Sequence, residues 1–68
     1  MTTCEVCRSA LRPEDHVVRA AQQIDVTAQG SAEREYIDGA FWLFHLEHWP
    51  GDSIARKERA RGPLKTFP

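Results

Sequence analysis

The chain has 68 residues, 28% of them charged, and a formal net charge of −1 at pH 7. That length makes one domain, and a domain of this size buries only about 60% of the surface its unfolded chain exposes, so its core alone leaves it marginal. No apolar run approaches a membrane-spanning helix; the longest, residues 40–44, suits a buried strand.

In chain order, the first feature is Cys4-Glu5-Val6-Cys7, which holds the only 2 cysteines. A disulfide between them closes almost no loop and stabilises little. The opening MTTCEVCRSA lacks the apolar core of a secretory leader, so the expected location is a reducing cytoplasm. Paired cysteines there favour metal or redox chemistry. Residues 4–12 read as a knuckle, with Ala10 and Leu11 returning over the metal. Pro13 then makes 12–15 a turn.

Residues 16–27 are rich in β-branched side chains, and Val18, Ala20, Ile24 and Val26 share one parity with Gln22 interrupting. A long, half-buried, bulged strand is expected. Helix competes over 17–24, because Ala20, Ala21, Gln22 and Gln23 tolerate it. Ala28-Gln29-Gly30-Ser31 punctuates the chain, and a second strand is expected over 32–37. Asp38-Gly39 between apolar flanks is a strong hairpin signal. A third strand over 40–44 runs into His45, completing a three-stranded antiparallel β-meander. His45-Leu46-Glu47-His48 is expected as one helical turn, since that puts residues three apart on one face while a strand does not. Pro50-Gly51 breaks it, Asp52 or Ser53 caps a last short helix over 54–61, and Gly62-Pro63 ends that helix. The expected fold is a small α+β zinc-stabilised domain over 1–62 with a flexible tail over 63–68.

The four donors form the pattern C-x2-C-x37-H-x2-H, which is enough for one closed tetrahedral zinc site per chain with ligands Cys4, Cys7, His45 and His48. A metal joining residues 4 and 48 closes most of the chain, and structural zinc supplies roughly 10–16 kcal/mol of apparent folding energy in small fingers. The competing readings are a thioredoxin-like redox pair, ordinary histidines beneath an aromatic cluster, and cysteines in an unstructured N-terminus. The redox reading lacks room for the strand that must precede the motif. His16 reads as a surface histidine and Glu47 as solvent-facing, because four ligands leave no open position for a water.

The knuckle Cys4-Glu5-Val6-Cys7 with Leu11, followed by Phe44-His45-Leu46-Glu47-His48-Trp49, resembles the treble-clef class of zinc modules, including the LIM type. The likeness covers residues 4–49. Arg8 stands where a knuckle glycine is frequent, His48 where LIM modules carry Cys, and the second LIM zinc site has no counterpart. The gap is too long for a DNA-reading C2H2 finger. Glu47-His48-Trp49-Pro50 is faintly similar to the opening of HNH nucleases, without their Asn and second His. The resemblance implies a zinc scaffold and leaves the function open.

Phe41, Trp42, Phe44 and Trp49 fall within nine residues, either as a core around the metal or as a partner-binding face. Residues 1–53 carry an excess of acid, and 54–68 carry Arg56, Lys57, Arg59, Arg61 and Lys65 against Glu58 alone. On the expected helix Lys57 and Arg61 share a face, as do Arg56 and Arg59. The leading expectation is a non-enzymatic adaptor or regulatory module that binds protein through Phe41, Trp42, Trp49 and the basic segment. The alternative is a nucleic-acid binder using Arg56, Lys57, Arg59 and Arg61, and a homodimer through the aromatic face is a further option.

Overall fold

The computed structural model describes residues 2–67. Its strands are β1 (His16–Asp25), β2 (Tyr36–His45) and β3 (Arg56–Pro63), with 3-10 turns at Leu46–His48 and Leu64–Thr66. They form one antiparallel sheet in the order β2-β1-β3.

β1 lies where the β-branched run predicts a strand, and its central position explains its composition. A central strand has a neighbour on each edge, and here both faces of its first half are also covered, so small and β-branched apolar residues fall at adjacent positions, interrupted by Arg19. Val17, Val18, Ala20 and Ala21 are all fully buried. On one face Val17 packs with Cys4 and Leu11, and Leu43, Leu64 and Phe67 close around them. On the other, buried Phe44 meets Trp49 at 4.9 Å between ring centroids. Arg56 lies over the Trp42 ring at 4.2 Å.

The α+β expectation is wrong: among the described residues there is no α-helix. Residues 54–61, expected as helix, mostly belong to β3, which pairs Gln22 with Arg56 and His16 with Pro63. Helix propensity is a weak prior, and here the unpaired second edge of β1 outweighs it. Ser53 still caps, but it caps a turn: its hydroxyl accepts the N–H groups of Ala55 and Arg56 at 3.2 Å.

The meander is also corrected. Asp38-Gly39 lies inside β2, and the chain reverses at Ala28-Gln29-Gly30-Ser31. There Ser31 N–H donates to Ala28 O at 3.0 Å and Gly30 takes φ 83°, the geometry of a type II turn. The Asp-Gly pair instead makes a bulge. Ala21 pairs with Phe41 and Gln23 with Asp38, which leaves Gly39 and Ala40 together opposite Gln22. The bare Gly39 backbone lets the exposed Ile24 side chain lie over it, where a Cβ would sit 2.6 Å from Ile24 Cδ1 and turn that side chain aside. A second bulge places Arg59 between the β1–β3 pairs Arg19–Ala60 and Ala20–Glu58. Arg59 grips Asp38 with Nε and Nη2 at 3.0 and 2.8 Å, and Gln23 Nε2 donates to the same carboxylate at 2.8 Å. One acid thereby ties the two outer strands together across the centre.

The β1–β2 ribbon overhangs β3, which stops opposite Gln22. The radius of gyration is accordingly 14.0 Å, where about 11 Å is usual for this length. No helix is long and apolar enough to cross a membrane among the described residues. The segment after β3 docks on the knuckle side: Leu64 N–H donates to Asp15 O and Lys65 N–H to Pro13 O, at 2.9 and 2.8 Å.

Phe44 is the largest fully buried side chain. Phe44→Ala is expected to cost about 3–5 kcal/mol, read from denaturant melts of metal-loaded protein; a loss under about 1 kcal/mol contradicts the packing described.

Candidate metal centre

Backbone hydrogen bonds shape the knuckle. Cys4 N–H donates to Ser9 O at 3.0 Å and Arg8 N–H to Cys4 O at 2.9 Å. Thr3 and Ala10 bridge antiparallel beneath them. Arg8 takes φ 63°, the left-handed conformation that favours glycine. Glu5 N–H donates to Leu43 O at 2.9 Å, pinning the knuckle to the edge of β2 two residues before His45.

The second pair straddles the end of that strand. His45 is the last residue of β2, and His48 closes the 3-10 turn that follows. This is the local helical turn that the spacing predicts. It brings the two imidazoles edge to face, 5.4 Å apart at 87°.

The four donor atoms of Cys4, Cys7, His45 and His48 all lie within 4.8 Å of one another, close enough to hold a metal ion. Cys7 Sγ is 3.4 Å from His45 Nδ1, and Cys4 Sγ is 3.7 Å from His48 Nδ1. A tetrahedral ion with metal–sulfur bonds of about 2.3 Å and metal–nitrogen bonds of about 2.0–2.1 Å sets sulfur and nitrogen about 3.6 Å apart. The two pairs bracket that edge, so the residues present fit such an ion. Cys4 is buried and Cys7 exposed, so the site has one wall in the core and one at the surface.

Asp15 lies beside the four donors, a neighbour that no local spacing in the chain signals. Its Oδ2 lies 3.5 Å from His45 Nε2, on the side of the ring away from Cys7. The contact is too long for a good hydrogen bond, but it sets a carboxylate beside the ring nitrogen that faces away from the thiols, where a ligand histidine commonly has its partner. Asp15 is itself held, since the same oxygen accepts Arg12 N–H at 2.9 Å. Asp15 stands two residues before Val17, whose partner across the sheet is His45, so only the strand register brings the pair together.

The electrostatics suit thiolates. Burial pushes the Cys4 thiol up, but N–H groups of Cys7, His45 and Val6 and the His48 ring outweigh it and bring it down to about 5. Cys7 is lowered chiefly by the Ser9 backbone. Both histidines are raised, each chiefly by hydrogen bonding to Cys4, with Cys7 adding to it. The thiols and imidazoles therefore favour each other's charged forms in the metal-free chain, and a metal would compete with protons for them.

His16 and Glu47 are exposed and outside the four-residue group. The expected partner residues split between both faces. Trp42 and Arg56 stack on one side, and Trp49 reaches them through Phe44. Phe41 is stacked beneath Arg19, the guanidinium 4.0 Å from the ring centre. Arg59 is bound to Asp38 and Arg61 to Glu58, while Lys57 is in neither ion pair. The helical face proposed for the basic segment does not exist, because those residues alternate along a strand.

Comparison with known protein families, with curated proteins and with solved structures finds no match.

Two outcomes follow from the geometry. Asp15→Ala is expected to weaken metal affinity about 10–100-fold in competition with a chromogenic chelator; unchanged affinity separates Asp15 from the centre. Acidification returns protons to the imidazoles, whose metal-free pKa values are raised, and then to the thiolates. Apparent metal affinity is therefore expected to fall steadily as pH drops below the raised histidine range, read by competition with a chromogenic chelator at a series of pH values. Affinity independent of pH contradicts ligation by these proton-binding groups.

Proposed function

We propose that the chain is a small structural-zinc module, without catalytic chemistry of its own, that presents a zinc-stapled sheet to another protein. The convergence of two thiolates and two imidazoles carries the zinc reading. A mixed sulfur and nitrogen tetrahedron suits zinc, and four protein ligands leave no open position for substrate or water. The role of the ion is mechanical. Cys4 and His48 are 44 residues apart, so the ion would fasten the N-terminal knuckle to the far end of β2. The likeness to treble-clef modules is confined to the knuckle and the ligand-bearing turn, since a strand follows where that class has a helix.

A protein partner is favoured over nucleic acid by how the basic residues are used. Phosphate binding needs cations free to neutralise charge. Arg59 and Arg61 are each clamped on a carboxylate, and Arg56 is stacked on Trp42. The Trp42–Arg56 face remains as an amphipathic contact surface, and aromatic and arginine side chains are frequent binding anchors.

Elemental analysis is expected to give one zinc per chain, and a strong chelator is expected to abolish the folded signal. Zinc well below stoichiometry with the fold unchanged after chelation removes the reading. For the partner, a complex purified from the native host is expected to survive nuclease and raised salt and to dissociate on Trp42→Ala. Binding that collapses with salt and disappears when Arg56, Lys57, Arg59 and Arg61 become Ala establishes the nucleic-acid alternative.

A further inference from the structure

The face of the sheet opposite Trp42 carries a groove of about 410 Å³, lined by Thr2, Arg19, Phe41, Leu43, Leu64 and Phe67. Four of those six side chains are apolar, one is a hydroxyl and one is a guanidinium. Apolar side chains with a few polar groups that fix orientation are the usual composition of a small-ligand site.

Arg19 is the informative member. Its guanidinium lies 4.0 Å over the Phe41 ring. Stacking covers the flat face of the cation and leaves its N–H donors pointing outward in the plane. Arg34, Arg59 and Arg61 each spend those donors on a carboxylate. Among the described residues no side-chain or backbone acceptor takes a hydrogen bond from the Arg19 guanidinium, although the residue is half-buried in the middle of the sheet. A planar fork of this kind is matched by a carboxylate, which takes two parallel hydrogen bonds from it.

We infer that this groove binds a small organic monocarboxylate, its acid group on Arg19 and its apolar body between Phe41, Leu43, Leu64 and Phe67. A free acid fits better than the end of a peptide chain. A peptide laid along β2 needs unpaired rungs beside the groove. Past the groove toward the metal end, that edge is already used: Glu5 N–H bonds Leu43 O, and His45 N–H meets Cys4 Sγ, which leaves only a short stretch for a strand to pair with. The groove shares no residue with the four metal donors or with the Trp42 surface, although Leu43, Leu64 and Phe67 pack on the cluster that holds Cys4, so the test is made on folded, zinc-loaded protein and reads the acid–amide difference rather than the fold.

The test is titration of isotope-labelled, zinc-loaded full chain with 3-phenylpropionate, followed by NMR. The expected result is saturable binding with shifts at Arg19, Leu43, Leu64 and Phe67. Its uncharged amide is expected to bind at least about tenfold more weakly, the loss of one charge-assisted contact. Arg19→Met keeps the apolar stem and is expected to erase that preference; Arg19→Lys keeps the charge without the fork and is expected to restore only part of it. Equal binding of acid and amide to the natural chain overturns the inference and needs no variant. So do shifts centred elsewhere, the absence of saturation, or tighter binding of a short peptide ending in a free Phe carboxylate than of the small acid.

Discussion

The rest of the structure depends on one constraint: two pairs of donors, separated by most of the chain, must meet at one end of the sheet. The buried hydrophobic set is Cys4, Leu11, Val17, Val18, Ala20, Ala21 and Phe44. Two of these are alanines and one is a metal-ligand candidate, so the transfer energy available is small. A domain of this length does not commonly stand on such a core without a staple. The knuckle is seated by a few backbone hydrogen bonds, and the proposed ion would convert that seat into a fastening. Beside it, the Asp15 carboxylate faces the His45 ring, and the Asp15 backbone carbonyl receives Leu64 of the returning C-terminal segment.

Seen from that end, the sheet has a graded construction. Near the donors it is three strands wide and covered on both faces. Beyond Gln22 it narrows to a two-stranded ribbon with Ile24, Val26, Tyr36 and Ile37 exposed. Bulges mark the transition: Gly39–Ala40 on one outer strand, Arg59 on the other, and the Arg59–Asp38 pair between them. Bulges increase twist and disturb the ladder, and both serve to blunt exposed edges. The ion pair at the bulges is partly exposed, so its chief effect is to fix the relative setting of the outer strands rather than to add much stability.

The donor set was legible from the sequence because it is a spacing argument. The x2 interval between His45 and His48 requires a helical turn if the two are to share a face, and the chain makes one. β1 was legible because β-branched composition and central burial agree. Two signals misled for definite reasons. Asp38-Gly39 is a turn signal only where both residues take positive φ, but Asp38 is held in the sheet by Arg59 and Gln23, and Gly39 is used for close approach to Ile24. Residues 54–61 have acceptable helix propensity and no strong strand pattern, yet β1 has a second edge to satisfy. The contribution of Asp15 and the stacking of Arg19 on Phe41 arise from register alone, which local sequence does not encode.

The central claim is that Cys4, Cys7, His45 and His48 hold one zinc ion as a closed set. X-ray absorption at the zinc edge of the purified, stoichiometrically loaded chain addresses it most directly. The account predicts two sulfur scatterers at about 2.3 Å and two imidazole nitrogens at about 2.0–2.1 Å, with no further donor. A first shell of five or six oxygen and nitrogen donors, or one with four sulfurs shared between chains, would contradict it.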